Sequence, residues 1–237
     1  MAEASGVEDQ SETMTLYGHF HMQSKLALPR CLTESNLEIA LLNYQDQARI
    51  YQDIDAFPSV WIVKQGYVKL HRISAQGRQA TLSILGRSAV FGTIEADQAT
   101  LGEIASAQGD VQIYRIKVSV FDELLSRDKD FSQFFVRSLY KRKDALQRRL
   151  FFVMHRKVES RLAAVLCDLV KNEGERCIHG GDIDARLTQQ DLADMIGASR
   201  QVVSSALNRL RERNIVHYTR DYICVCDMPA LASLAEN

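Results

Sequence analysis

The chain has 237 residues, with 29 Lys and Arg against 30 Asp and Glu and a formal net charge of −1. Charged residues make up 25% and hydrophobic residues 46%, which is typical of a soluble globular protein and excludes a disordered one. No apolar run approaches the roughly 18 residues of a membrane-spanning helix, so no membrane partner is expected. The acidic N-terminus lacks the apolar core of a secretory signal, and five scattered cysteines do not form a disulfide framework. We therefore expect a cytoplasmic protein.

The first part of the chain is predicted to be a β domain that follows an unstructured tail. Residues 1–24 are predicted to be a disordered acidic tail, because residues 1–14 carry four acidic side chains and no Lys or Arg. From about Leu26 to Leu42 the pattern weakly indicates short helices. Alternating or apolar runs then predict strands at 61–63, 67–73, 80–85, 89–92 and 111–116. Residues 25–130 are thus predicted to be a small antiparallel barrel or sandwich, an effector-like domain.

A long helix is predicted after the β domain, preceded by a short helix with Ser119 as its candidate N-cap. Residues 131–155 contain no Gly and no Pro, and as a helix they would be about 38 Å long. The apolar stripe along this helix is too long to be covered by one small β domain. We therefore assign residues 131–156 as a dimerisation helix, with a core helix packed wholly within its own chain as the alternative. The predicted dimer interface comprises Phe135, Leu139, Leu146, Leu150 and Val153.

Residues 157–237 are predicted to hold a helix, two shorter helices at 189–196 and 200–213, and a final strand-turn-strand. Thr188 is placed to cap the first short helix, with Asp191 as an acidic partner for its N-terminus. Ala193 allows a close helix approach, and Gly197 tolerates a left-handed turn. Together these spacings are those of a helix-turn-helix.

The second short helix is predicted to present a polar face to DNA. If Val203, Leu207 and Leu210 face inward, the opposite face is polar and cationic at its N-terminal end. Arg can read guanine bidentately, and Gln or Asn can pair with adenine. Residues 199–220 hold five Arg and one Glu, which gives a local charge of +4 and favours DNA binding. The alternative is an ordinary helical hairpin whose basic face is only solvated. The predicted DNA-binding residues are Ser199, Arg200, Gln201, Ser204, Ser205, Asn208, Arg209 and, at the tip of the hairpin wing, Arg220.

A β-roll, a long helix and a winged helix-turn-helix in this order resemble the CRP/FNR superfamily of transcription regulators. The stretch GYVKLHRISAQGRQATLSIL, the run VFGTI and the run ESRLAAVL are most similar to the NtcA-type nitrogen regulators of cyanobacteria. The resemblance implies an α+β fold with an N-terminal cyclic-nucleotide-binding-like β-roll, a homodimer on pseudo-palindromic double-stranded DNA, and RNA polymerase as a further partner. The family's Ser-Arg-Glu-x-x-x-Arg pattern appears here as Ser199-Arg200-Gln201 with Ser205 at the second Arg position, so the family's usual half-site is not assumed.

The resemblance also bears on the effector. Cyclic-nucleotide sensors of the family place a Glu after a Gly, whereas Thr93 follows Gly92 here, and residues 88–114 contain no Lys or Arg to hold a phosphate. NtcA-type regulators bind 2-oxoglutarate between the β-roll and the dimer helix, and the resemblance places Phe91, Gly92, Thr93, Ile94 and Arg142 at that pocket. The family contributes a second arginine to this pocket from the β-roll, but in this sequence Ile104 occupies about that position. We expect a 2-oxoglutarate-like anionic effector; the alternative is that Arg142 snorkels or pairs within the dimer.

These patterns favour a transcription regulator that is not an enzyme; an activator is expected from the resemblance, and a repressor is the alternative. No cofactor and no metal are expected, and the identity of any small-molecule effector is left open. A ligand-independent DNA-binding regulator is the first alternative. A cupin-like metal enzyme, with His19, His21 and His71 as ligands, is the alternative from another functional class.

Overall fold

The computed structural model describes residues 26–34, 37–52, 58–77, 79–94, 102–173, 181–183, 186–219 and 222–236. The predicted tail, His19, His21 and Arg220 lie outside these residues. The helices are α1 (Cys31–Glu34), α2 (Val118–Arg127), α3 (Lys129–His155), α4 (Val158–Glu173), α5 (Gln189–Ile196), α6 (Arg200–Glu212) and α7 (Met228–Glu236). The strands are β1 (Ile39–Tyr44), β2 (Arg49–Gln52), β3 (Ser59–Ile73), β4 (Gln79–Leu85), β5 (Val90–Thr93), β6 (Glu103–Lys117), β7 (Gly181–Ile183), β8 (Val216–Tyr218) and β9 (Ile223–Val225). No helix in the described part of the chain is long and apolar enough to cross a membrane.

Six antiparallel strands form the β-roll. They follow the order β1-β6-β3-β4, with β2 paired to β6 and β5 paired to β3. The two long strands β3 and β6 pair from Ser59 and Lys117 at one end to Arg72 and Glu103 at the other. Their inward side chains fill the interior of the roll, which contains three mutually stacked rings, those of Tyr51, Trp61 and Phe91. The roll is therefore a packed core.

Two local predictions were wrong. The strands predicted separately at 61–63 and 67–73 are one continuous strand, β3, with a bulge at Gln65-Gly66, where Gly66 has φ +80° and a Cβ would lie 2.3 Å from the carbonyl oxygen of Asp110. Ser119 is not an N-cap, because α2 begins at Val118 directly from β6. The segment from Leu26 to Leu42, where short helices are predicted, contains the helix α1 and, from Ile39, the strand β1, which pairs with β6. Each error comes from long-range strand pairing that overrides the local pattern.

The C-terminal part of the chain folds around its own apolar core. Helices α4 to α7 enclose it, and β7, β9 and β8 form a three-stranded sheet beside it. The short strand β7 was missed by sequence analysis. Tyr67 and Ile84 of the β-roll pack against this core, so the two parts of the chain touch.

The carboxylate of Asp191 joins the helix-turn-helix to the β-roll. Its Oδ1 accepts a hydrogen bond from the hydroxyl of Thr81 at 2.7 Å and lies 3.4 Å from Nζ of Lys69. Its Oδ2 accepts from the backbone N–H and the hydroxyl of Thr188, at 2.9 and 2.6 Å. Asp191 is only 3% exposed. Burial raises its pKa, but the hydrogen bonds from Thr188 and Thr81 and the ammonium of Lys69 together hold the pKa below its usual value.

Two further contacts fix the same junction. The backbone N–H of Thr81 donates to Oδ2 of Asp194 at 2.9 Å. The guanidinium of Arg149 on α3 donates to the carbonyl oxygen of Leu82 and, at 3.0 Å, to that of Asp194. Arg149 therefore bridges β4 and α5, and burial lowers its pKa.

We expect Asp191→Ala to destabilise the chain by about 3–5 kcal/mol, because it removes the carboxylate half of the capping box of α5 and leaves the ammonium of Lys69 buried without its partner. Urea unfolding measures the loss. Asp122→Ala, which alters an exposed carboxylate on α2, is the control and is expected to change stability by less than about 0.5 kcal/mol. Equal effects of the two changes would contradict the role of Asp191.

We also expect stability to fall as the pH drops below about 6.5. His71 is buried on β3, its Nδ1 has no hydrogen-bond partner, and its pKa is lowered by burial and by the nearby charge of Lys69. Asp191 raises that pKa and Arg49 lowers it. Because the folded state holds the lower pKa, the unfolded chain binds the proton first on acidification. Unfolding measured from pH 7.5 to 5.5 is expected to show a smaller loss for His71→Gln than for the native chain.

Candidate DNA-binding surface and effector region

A capping box begins the first helix of the helix-turn-helix. The hydroxyl of Thr188 accepts from the backbone N–H of Asp191 at 3.1 Å, and the Asp191 carboxylate accepts from the Thr188 backbone N–H in return. The helix ends at Gly197, which has φ 63° and ψ 50°. Ala193 is fully buried. The predicted roles of these four residues in the helix-turn-helix are confirmed.

The second helix, α6, has one buried and one exposed face. Ser199 caps it by accepting from the backbone N–H of Val202 at 3.4 Å. Its buried face contains Val203, Ala206, Leu207 and Leu210. On the other face Arg200, Gln201 and Ser205 are exposed, while Ser204 and Asn208 are half-buried. The N-terminal half of α6 thus presents polar side chains outward, as the 3.6-residue period predicts.

The arginines around α6 differ in their surroundings. Both Arg209 and Arg213 pair with the carboxylate of Glu159 on α4, at 3.0 and 3.5 Å. The guanidinium of Arg211 lies over the ring of Tyr218, 5.5 Å from its centroid. No ion pair to Arg200 occurs among the residues that the structure describes. The positive charge at the start of α6 is therefore the one most open to a ligand.

Asn208 contacts the hairpin that follows α6. Its Oδ1 accepts a hydrogen bond from the hydroxyl of Tyr218 on β8 at 3.0 Å. The strands β8 and β9 pair from Val216 and Val225 to Tyr218 and Ile223. The contact holds the base of this wing against α6, and the wing tip with Arg220 lies outside the described residues.

The long helix α3 leaves an apolar stripe exposed. Leu139, Leu146, Leu150 and Val153 are 47%, 50%, 63% and 43% exposed. Phe135, at the start of the stripe, is half-buried and packs edge-on against Phe121 of its own chain, with ring centroids 4.9 Å apart. Four of the five predicted interface residues are thus uncovered in the single chain.

The predicted effector residues do not all converge. Phe91 points into the roll and stacks with Tyr51 and Trp61. Gly92 has φ 100°, and a Cβ there would lie 2.3 Å from the carbonyl oxygen of Ser59. Thr93 is half-buried, Ile94 is exposed, and Ile104 is buried. Arg142 donates to the carbonyl oxygen of Val90 at 3.2 Å, so α3 does contact the roll beside this segment.

The described residues contain no group of three or more His, Cys, Asp or Glu side chains that could hold a metal ion. His71 is buried within the sheet.

Comparison with known proteins agrees with this arrangement. The profile of the cyclic nucleotide-binding domain matches residues 41–128, and that of the Crp-like helix-turn-helix domain matches residues 160–234. Together the two profiles cover more than half of the chain. The chain belongs to the CRP/FNR superfamily of transcription regulators.

Individual members of the CRP/FNR superfamily are similar over most of the chain. The global nitrogen regulator of Nostoc sp. is 26% identical over 174 residues, which cover 72% of this chain and 78% of that protein. The global nitrogen regulator of Synechococcus elongatus is 24% identical over 212 residues, which cover 88% and 96%. The structure of a CooA mutant from Carboxydothermus hydrogenoformans has a TM-score of 0.71 at 21% identity and covers 90% of this chain and 98% of that one. The predicted resemblance, α+β fold and DNA-binding regulator function are confirmed.

Sequence analysis of this CRP/FNR regulator missed two residues that shape the candidate DNA-binding surface. Glu159 neutralises part of the charge of Arg209 and Arg213, and Tyr218 fixes the amide of Asn208. Glu159 lies 50 residues before Arg209. The helix-turn-helix pattern contains no signal for a partner at that distance.

In this CRP/FNR regulator we expect Arg200→Ala to relax base preference at one position of each half-site, at a cost of about 1–3 kcal/mol in specific binding. Duplexes selected from a random pool by the native and variant proteins give the comparison. Arg127→Ala, which removes an exposed guanidinium paired with Glu123 on α2, is the control. An unchanged preference in Arg200→Ala would count against base reading by this side chain.

Proposed function

We propose that this regulator acts as a homodimer on pseudo-palindromic DNA. The observation that carries the proposal is the uncovered apolar stripe of α3 in a chain whose polar α6 face is open. Packing two α3 helices along Leu139, Leu146, Leu150 and Val153 would remove the stripe from water. A two-fold dimer would then present two α6 helices to successive major grooves about 34 Å apart.

The proposed DNA contacts are led by the exposed start of α6. Arg200 and Gln201 are placed for base edges, and Ser199, Ser204 and Ser205 lie beside them. Asn208 lies on the α6 face proposed to enter the groove, and it also supports the wing, because its side-chain oxygen accepts a hydrogen bond from Tyr218. Arg209 contributes less charge than the sequence indicates, since Glu159 pairs with it. Arg220 keeps its proposed contact with the DNA backbone.

We further propose control by a small anionic effector and not by cyclic AMP. The inside of the roll is filled by Tyr51, Trp61 and Phe91, and Thr93 follows Gly92 where cyclic-nucleotide sensors of the family have a carboxylate. The residues present therefore do not fit a cyclic nucleotide in the roll interior. Activation of transcription through RNA polymerase, in the cytoplasm, completes the proposal.

Selection of bound duplexes from a random pool tests the dimer and the operator together. We expect two inverted half-sites whose centres are about one helical turn apart. A single asymmetric site, or no enriched sequence, would contradict the proposal.

We expect Leu139→Glu combined with Leu150→Glu to give a monomer, because it places two carboxylates in the apolar contact. Light scattering should show the mass of one chain, and affinity for the selected duplex should fall by at least about tenfold. Ile73→Glu, which alters an equally exposed apolar side chain on β3, should leave both measurements unchanged.

A further inference from the structure

Asn208 lies in the row of outward side chains on α6 that is proposed to enter the groove. Helix residues that are three, four and seven positions apart share a face, so Gln201, Ser204, Ser205 and Asn208 follow one another along it. Asn208 comes about 10 Å further along the helix axis than Gln201. The two amides therefore face different base pairs of a half-site.

The amide of Asn208 has its oxygen already engaged within the chain. Its Oδ1 accepts a hydrogen bond from the hydroxyl of Tyr218 on β8 at 3.0 Å. Its Nδ2 has no hydrogen-bond partner among the residues that the structure describes. An amide nitrogen carries two N–H donors and no acceptor. The group that Asn208 leaves for a ligand is therefore a donor.

Tyr218 is itself held in place from several sides. Its ring packs against the apolar core of the C-terminal part of the chain, and its backbone pairs with Ile223 in the wing. The guanidinium of Arg211 lies 5.5 Å from the ring centroid. A Tyr side chain has two side-chain torsions, so a packed ring fixes the position of its hydroxyl. Tyr218 thus fixes which edge of the Asn208 amide faces away from the wing.

The engaged oxygen changes the base pair that Asn208 suits. An unconstrained Asn pairs with adenine by donating to N7 and accepting from the N6 amino group, which needs Oδ1 and Nδ2 at the same base edge. In this chain Oδ1 accepts from the wing instead. Guanine offers two neighbouring acceptors, N7 and O6, to the two N–H groups of Nδ2. The N6 amino donor of an A·T pair finds no acceptor on Nδ2, so the contact favours G·C over A·T.

The other outward polar side chains of this row are not oriented by the wing. Gln201 is exposed, and its side chain makes no hydrogen bond within the described part of the chain. The hydroxyl of Ser205 donates to the carbonyl oxygen of Gln201 at 3.1 Å, but a hydroxyl rotates readily between donating and accepting. The fixed polarity of Asn208 therefore comes from its contact with Tyr218.

We propose that Asn208 specifies a G·C base pair in each half-site, and that Tyr218 is the positioning residue that sets this preference. Nδ2 donates to N7 and O6 of the guanine, while Oδ1 stays on the hydroxyl of Tyr218. The inference rests on the proposed entry of α6 into the major groove, and it adds the identity of one base pair. Tyr218 acts only through the amide that it orients.

Selection of duplexes from a random pool by the full-length protein tests the proposal. The base pair that Asn208 contacts is the one whose preference is lost in Asn208→Ala. We expect the native protein to enrich G·C there, with about tenfold discrimination against A·T. Enrichment of A·T at that base pair, or an unchanged preference at every position in Asn208→Ala, would overturn the proposal.

Tyr218→Phe separates the positioning role from support of the fold. It keeps the packed ring but releases Oδ1, so the preference for G·C should fall from about tenfold to about twofold at this base pair alone. Tyr222→Phe removes the same hydroxyl from an exposed Tyr of the same wing and should leave the preference unchanged. An unchanged preference in Tyr218→Phe, or an equal loss in Tyr222→Phe, would overturn the role of Tyr218.

A double-mutant cycle gives a readout that a merely structural role would not move. When Asn208 is already Ala, Tyr218→Phe should have no further effect on base preference, because the amide that it positions is absent. A further change of preference in the double variant would show that Tyr218 acts by another route and would contradict its assignment as the positioning residue.

The same selection distinguishes this inference from the proposed function. Two inverted half-sites that do not change in Asn208→Ala would contradict the role of Asn208 and leave the DNA-binding dimer standing. A single asymmetric site that loses its G·C preference in both Asn208→Ala and Tyr218→Phe would contradict the dimer and support the inference. No enriched sequence would overturn both.

Discussion

The orientation of the candidate DNA-binding surface, the exposed face of α6, depends on one buried carboxylate. Asp191 uses one oxygen to cap α5 and the other to bind Thr81 and Lys69 of the β-roll. Turning the helix away from the roll would break the contacts of Asp191 with Thr81 and Lys69, so these contacts favour the observed position of α5. Since α6 packs on α5 through Val203 and Leu207, the exposed face of α6 follows the position of the roll. Asp191, a residue of the helix-turn-helix motif, thus also helps to set the orientation of that motif relative to the β-roll.

Helix α3 links the other functional parts through its different faces. One face is the apolar stripe that the proposed dimer covers, and another carries Arg142 and Arg149, which donate to the carbonyl oxygens of Val90 and Leu82 in the β-roll. Arg149, near the C-terminal end of α3, binds backbone oxygens of both β4 and α5. A shift of α3 therefore changes contacts to the roll and to the helix-turn-helix together. This geometry gives a physical route between dimer packing and DNA binding, because one rigid helix belongs to both.

The features predictable from the sequence are those set by neighbours within a few residues. The cap at Thr188 and the turn at Gly197 placed α5 and α6 to within a residue. The outward face of α6 followed from its helical period. The pairing of Lys69 with Asp191 spans 122 residues, and no local pattern signals it. Likewise Phe91 points inward because its ring stacks with those of Tyr51 and Trp61. The resemblance placed Phe91 at an effector pocket, but these three rings fill the interior of the roll there.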